Sequence, residues 1–382
     1  MARPGIGYPV YQQPSRVTFG TGSVKTLVDE GIESAVVFLT SQAPVRAAVD
    51  AALARRGARL DDSRIVVKPA GEPTADMIGL GAEFLSRRQP SRIVAIGGGS
   101  VLDWCRLSWA ASRGLLSIDS GRVAPLDDPR ARPELWLVPT TCGTGAEAAG
   151  VAVYSDHGRK IAAVSRTFIA DQVILDAQFL RTVDAFGMAC ALADTLSHAI
   201  EASVSIVPGT LAKEAGAGAL RLVLENAGLP PGVCRDERLM EAGYLGGVAA
   251  SNCSVGVVHA FAHSVAHAGI RHGQGNAIAL AAGIQANAEA PAMRQLPARV
   301  GIPDPPALIS RVREIVAAAL DGASLDPLRQ LLQREEERAQ IADRMAADVC
   351  LRSNPRAMSR DDLLAFLRVV EETLDPSWCL PS

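Results

Sequence analysis

The stretch "HAFAHSVAHAGIRHG", residues 259 to 273, holds four of the six histidines in the chain. His259, His263 and His267 recur every fourth residue, so one continuous helix would carry them on one face. His272 follows after Gly269, a residue type that breaks helices. Upstream, "DTLSHAIE" sets Asp194 and His198 four residues apart among apolar Leu192, Leu196, Ala199 and Ile200. A carboxylate on a mostly apolar helix needs a partner. Any one of these histidines, read alone, is a satisfied core or surface imidazole, and the Asp194–His198 pair alone is a helix-surface hydrogen bond. Gathered in a chain with so little histidine elsewhere, they suit a divalent cation. One carboxylate with several neutral imidazoles is a borderline donor set, fit for Zn(II) or Fe(II).

Thiolates do not join that set. The seven cysteines (105, 142, 190, 234, 253, 350 and 379) are scattered, odd in number and free of any CxxC pair. Neither a disulfide framework nor a structural zinc knuckle is expected.

Two glycine-rich loops offer a second kind of chemistry. Gly97, Gly98 and Gly99 follow the apolar run "SRIVAI" and precede a helical pattern, with Ser100 next. Such a loop lets backbone N–H groups approach a phosphate, helped by the positive end of the helix. The full GxGxxG pattern is not met, because Leu102 stands at the third glycine position. The second loop, "PTTCGTGAE" (139–147), carries Thr140, Thr141 and Thr144 beside Gly143 and Gly145. Either loop alone is a polar turn. Two of them at the ends of consecutive strands point to a nucleotide, since ligands of open α/β sheets gather there.

The elements that must position these residues fall into two halves. In the first, short apolar runs alternate with helical patterns: strands at 34–41, 63–70, 91–96 and 133–141, helices at 43–57, 74–89 and 101–114. This rhythm predicts a doubly wound parallel sheet. From about residue 178 strand runs cease and long Ala- and Leu-rich stretches predict an all-helical domain, including one helical stretch over 238–269. The charged stretch 332–348 reads as a solvated helix face. The expected division is residues 1–177 and 178–382, in keeping with a chain too long for one core.

Bulk properties exclude other classes. A net charge of −3, with 48% hydrophobic and 21% charged residues, gives no basic surface for nucleic acid or anionic membrane. No apolar run is long enough for a membrane span, and the N-terminal stretch lacks a signal-peptide core. A cytoplasmic protein is expected.

The ordered motifs resemble the iron-containing (group III) alcohol dehydrogenase family. "FGTGS" (19–23), "EPT" (72–74), "GGGSVLD" (97–103), "PTTCGTGAE", "DTLSHAIEA", the paired-histidine segment and "SNPR" (353–356) appear in the family's order across nearly the whole chain. The resemblance implies an N-terminal nucleotide-binding α/β domain, a C-terminal helical domain, and a metal and nicotinamide in the cleft. It puts the metal ligands on Asp194, His198, His259 and His272, with His267 as the alternative fourth ligand because the His263–His272 interval is one residue short. His263 falls near the nicotinamide, and His267 is an additional catalytic candidate. Gly97, Gly98, Gly99, Ser100, Asp103, Thr140, Thr141 and Thr144 fall in the dinucleotide loops, and Thr40 and Ser41 where the adenosine ribose is met. Ser41 stands in place of a common Asp, which removes one obstacle to NADP, so the cofactor is NAD or NADP. Arg106 replaces a usual Lys, and Ala146 a Ser. The implied activity is metal-dependent hydride transfer between nicotinamide and an alcohol or carbonyl compound, by a homodimer. The alternatives are a non-redox lyase or cyclase of the dehydroquinate synthase-like type, and a tailoring dehydrogenase acting on a phosphonate or modified peptide.

Overall fold

The computed structural model describes residues 11–126, 128, 131–157, 159–320 and 325–374. Residues 1–10, part of the N-terminal stretch read for a signal peptide, and Cys379 lie outside them. By contacts the chain divides into two compact units. One holds Gln12–Val183 and Pro230–Tyr244; the other holds Asp184–Leu229 and the described residues from Leu245 on. The expected boundary put residues 230–244 with the helical half, whereas they count with the α/β unit. Two contacts draw them there: Glu237 Oε1 accepts from Thr21 N at 2.8 Å, and Gly243 lies so close to Cys142 that a Cβ would stand 2.4 Å from its carbonyl oxygen.

The α/β unit has ten strands among the described residues: β1 (Arg16–Phe19), β2 (Val36–Leu39), β3 (Ile65–Val67), β4 (Arg92–Gly97), β5 (Leu116–Ser117), β6 (Arg122–Val123), β7 (Glu134–Pro139), β8 (Val151–Asp156), β9 (Arg159–Val164) and β10 (Gln172–Leu175). Six form one sheet in the order β1-β10-β7-β4-β2-β3, and every pair in it is parallel. All four residues of β2 are buried, as a strand covered on both faces requires. The helices Ala43–Ala54, Ala75–Arg88 and Gly99–Ser112 follow β2, β3 and β4. Val45, Val49 and Leu53 recur at helical spacing and bury one stripe in the cluster that includes Val37, Val94 and Trp136. Thr74 caps the second helix through Met77 N, and Gln89 ends it in the left-handed region. The β8–β9 hairpin and strands β1 and β10 have no counterpart in the sequence reading. The hairpin buries small residues, Ala152 and Ala163 beside Tyr154, so its inward face carries little apolar signal.

The sheet order reverses direction between β2 and β4. The chain runs from β2 outward to β3, then returns to place β4 on the other side of β2. Crevices of open α/β sheets form at such switch points, beyond the carboxyl ends of the strands. Thr40 and Ser41 follow β2 there, and Gly97 ends β4 just before the Gly99–Ser112 helix.

The helical unit has no strand among its described residues. Its framework includes the helices Ala185–Val204, Thr210–Asn226, Val257–Ser264, His272–Ala286, Pro305–Leu320, Glu335–Ala347 and Arg360–Thr373. The single helical stretch expected over 238–269 is broken. One helix ends at Cys253, Ser254 takes φ +63°, and a new helix starts at Val257. Its free N–H groups are met by side chains from afar: Asn354 Oδ1 accepts from Val257 N at 3.3 Å, and Glu201 Oε1 from Val258 N at 2.7 Å. Gly256 makes room, since a Cβ there would sit 2.8 Å from Asn354 Oδ1. The 332–348 stretch is more than a solvated face: Leu332, Ile341, Ala342 and Met345 are buried. No single helix among the described residues is long and apolar enough to cross a membrane.

Candidate active site

Asp194 and His198 sit one turn apart on the Ala185–Val204 helix, where every residue from Leu192 to Val204 is buried. His259 comes from the Val257–Ser264 helix, and His272 is the first residue of the His272–Ala286 helix. Three imidazole nitrogens face one carboxylate oxygen. Asp194 Oδ1 is 3.8 Å from His198 Nε2, 3.7 Å from His259 Nε2 and 3.4 Å from His272 Nε2. The His198 and His259 rings stack with centroids 4.7 Å apart. Gly273 permits this meeting, because a Cβ would stand 2.3 Å from the Cys190 carbonyl oxygen on the neighbouring helix.

These side chains fit a metal ion. Four tetrahedral ligands with bonds of about 2.0–2.2 Å lie roughly 3.4 Å apart. Asp194, His198 and His259 place donor atoms within 4.8 Å of one another. His259 Nε2 is buried without a hydrogen-bond partner, a costly state for a polar atom unless something fills it. Glu201 Oε2 meets His259 Nδ1 at 2.6 Å, which fixes the tautomer and frees Nε2 for the cluster. Asn276 Nδ2 donates to Asp194 Oδ1 at 2.8 Å.

Electrostatics follow from burial and proximity. Burial pushes His198 down to about 4, with the Asp194 charge opposing. Burial also lowers His272. For His259 burial is outweighed by the nearby Asp194 carboxylate and the hydrogen bond to Glu201, which raise it to about 9. Burial works to raise Asp194, but the His198 and His272 charges and the nearby His259 hold it well below the usual carboxylate range.

The other two histidines separate. His263 lies one turn beyond His259, half-buried, its ring stacked on His272 at 5.3 Å. Its Nδ1 meets Asp348 Oδ2 at 2.9 Å. His267 does not share the helix face expected for it. The helix ends at Ser264, and His267 is exposed on the 3-10 turn Ala266–Ala268. His272, not His267, stands with Asp194, His198 and His259.

The sequence reading assigned no role to Glu201, Asn276 or Asp348. Glu201 was findable, since it lies three and seven residues after His198 and Asp194 on one helix face. Asp348 lies 85 residues from His263 with no local signal joining them.

In the α/β unit the two glycine-rich loops touch. Gly99 packs on Thr144, where a Cβ would lie 2.6 Å from the Thr144 hydroxyl. Gly98 caps the Gly99–Ser112 helix, and Ser100 is half-buried within its first turn. Thr141 is half-buried and Thr144 exposed, while Thr140 is buried with its N–H on Gly97. Thr40 is half-buried and Ser41 exposed at the end of β2. Asp103 is tied into this unit by protein contacts: its carboxylate pairs with Arg106 and accepts from Val153 N at 3.0 Å. Arg106, fully buried, donates to the carbonyls of Ala146 at 2.9 Å and Ala149 at 2.6 Å. A planar guanidinium reaches three acceptors at once, which a lysine's point charge does less well. Arg106 and Asp103 therefore clamp the first loop's helix to the second loop.

Comparison with known proteins agrees with this architecture. The family profile for iron-containing alcohol dehydrogenase matches residues 14–177, and that for the C-terminal part of the Fe-containing alcohol dehydrogenase family matches 188–370. The chain belongs to the iron-containing alcohol dehydrogenase family, oxidoreductases acting on CH–OH, with small-molecule alcohols or aldehydes as substrates. It is 28% identical over 313 residues to the probable alcohol dehydrogenase EutG of Escherichia coli, covering 78% of this chain and 77% of that protein. It is 27% identical over 315 residues to alcohol dehydrogenase 4 of Schizosaccharomyces pombe, covering 78% and 72%. Among solved structures, the fold is similar to an iron-containing alcohol dehydrogenase from Thermococcus thioreducens (TM-score 0.80, 22% identity, 95% and 100% covered). It is also similar to the NAD+ complex of sulfoacetaldehyde reductase from Bifidobacterium kashiwanohense (TM-score 0.78, 22% identity, 96% and 99% covered).

Proposed function

We propose that this chain interconverts a small alcohol and its aldehyde or ketone with NAD(H) or NADP(H), using one divalent ion held by Asp194, His198, His259 and His272. The observation that carries this reading is the meeting of three imidazole nitrogens on one buried carboxylate oxygen, 3.4–3.8 Å away. When bound, the ion supplies Lewis acidity toward a substrate oxygen, and the nicotinamide takes or gives hydride. The chain's residues do the rest. Glu201 and Asn276 hold His259 and Asp194 in place for the ion. His263 receives or returns the hydroxyl proton of the substrate. Gly98, Gly99 and Ser100, at a helix N-terminus, bind the pyrophosphate with Thr141 and Thr144 beside them. Thr40 and Ser41 meet the adenosine ribose, and no carboxylate at 41 repels a 2′-phosphate. Asp103 and Arg106 keep the two loops in register. The family resemblance supports a cytoplasmic homodimer, which light scattering on the purified protein checks for its subunit number.

The test is metal analysis combined with NADH and NADPH oxidation across aldehydes. The panel includes short alkanals and a sulfonated aldehyde, the substrate type for which one structural neighbour is named. One ion per chain and coenzyme consumption are expected. Full turnover by a metal-free sample overturns the assignment.

A further inference from the structure

His263 is useful as a proton carrier only if its ring is held in one orientation and one tautomer. Its own helix does not do this, because the residue is the penultimate one of the Val257–Ser264 helix and its side chain is one-third exposed. We propose that Asp348 is the positioning residue for His263: it accepts the Nδ1–H hydrogen bond, and so leaves the Nε2 lone pair for the substrate hydroxyl.

The carboxylate is itself fixed from two sides. Oδ2 meets His263 Nδ1 at 2.9 Å, while Oδ1 accepts from Cys350 N at 2.8 Å and caps the 3-10 turn Val349–Ser353. That turn is tied to the segment preceding the His263 helix, since Ser353 Oγ donates to Val255 O at 2.6 Å. Nε2 of His263 makes no hydrogen bond among the described residues. The pattern parallels Glu201 and His259, where a carboxylate also grips Nδ1 and frees Nε2. There Nε2 stands 3.7 Å from Asp194 Oδ1.

A second metal ion is the rival use of this cluster, because His263, Asp348 and Cys350 place donor atoms within 4.8 Å of one another. The spacing argues for a hydrogen bond instead. Ligands of one ion stand roughly 3.4 Å apart, whereas the nitrogen–oxygen distance here is 2.9 Å. Burial also pushes the Cys350 thiol upward, away from the thiolate that a metal needs.

The proposal rests on the functional reading above, so its test includes a measurement that does not depend on turnover. Zinc-loaded protein with ¹⁵N-labelled histidine is compared by NMR with Asp348→Ala, the His263 signal being identified by its loss in His263→Ala. Nδ1–H is expected in the native protein, with a shift toward Nε2–H in Asp348→Ala; an unchanged tautomer overturns the proposal. In kinetics, Asp348→Ala should lower kcat by about 10- to 100-fold with KM and metal content unchanged. Asp348→Asn, which keeps an acceptor oxygen, should recover part of the loss. In a His263→Ala background Asp348→Ala should cost nothing more. An equal loss in both backgrounds makes Asp348 mere scaffolding and overturns the proposal, as does a fall from two metal ions per chain to one. If His263→Ala keeps full turnover, the role given to His263 in catalysis fails, and the NMR comparison still decides what Asp348 does.

Discussion

The clusters around Asp194 and Asp348 each set histidine against an aspartate, and they differ in spacing and burial. Around Asp194 three imidazoles stand back 3.4–3.8 Å from one carboxylate oxygen, in a setting where the carboxylate side chain is 5% exposed. Around Asp348 a single imidazole closes to 2.9 Å, and the histidine side chain is 33% exposed. A gap too long for a hydrogen bond, lined with buried donors, is room for an ion. A gap of hydrogen-bond length is already filled by a proton. An aspartate facing histidine is common to both; distance separates them.

That contrast can be broken at its strong end first. His198→Ala is expected to remove the bound metal and lower turnover by more than about 1,000-fold, because a three-ligand remnant leaves the ion loose. Metal retained at one ion per chain with near-native kcat would place the ion elsewhere. Next in size is Glu201→Gln. The amide holds His259 Nδ1 less firmly, so metal affinity should drop about 10- to 100-fold, read by competition with a chelator; an unchanged affinity means Glu201 only caps the Val257–Ser264 helix.

A smaller effect lies in the second glycine-rich loop. Glu147 is buried, one of its carboxylate oxygens lacks a partner, and burial raises it to about 7. Its folded value is above the unfolded one, so stability is fully present below the unfolded value near 4.5 and declines as pH rises through 7. The loss is on the order of 3 kcal/mol. Thermal melts between pH 5 and 9 should show Glu147→Gln flattening that decline; parallel curves for both proteins would assign the decline to other groups. The smallest expected effect is none at all. His267→Ala should leave metal content and kcat unchanged within about twofold, since the residue stands exposed outside the cluster; loss of the ion would restore His267 as a ligand.

Much of the fold was legible where one local force dominates. Strands such as Val36–Leu39 are apolar throughout because both their faces are covered, and the helices between them stop at turn residues. The hairpin Val151–Asp156 with Arg159–Val164 was not legible, because alanines carry its buried face. The break at Ser254–Gly256 was invisible for another reason. Local propensity runs straight through it, and what stabilises a new helix start at Val257 is Glu201 and Asn354, residues far away in sequence.

The site divides along the same line. Pairs within one helix, Asp194 with His198 and His259 with His263, follow from a period of 3.6 residues per turn, and the glycines before the Gly99–Ser112 helix from the open backbone a phosphate needs. Sequence alone determined those, together with the donor chemistry they imply. Which histidine completes the cluster was decided only in three dimensions. His272 reaches Asp194 because Gly273 lets its helix press against Cys190, while His267 is turned out to solvent where the preceding helix ends. The clamping of Asp103 by Arg106 and the grip of Asp348 on His263 belong to the tertiary structure as well, because close packing between distant segments sets distances that no repeat along the chain encodes.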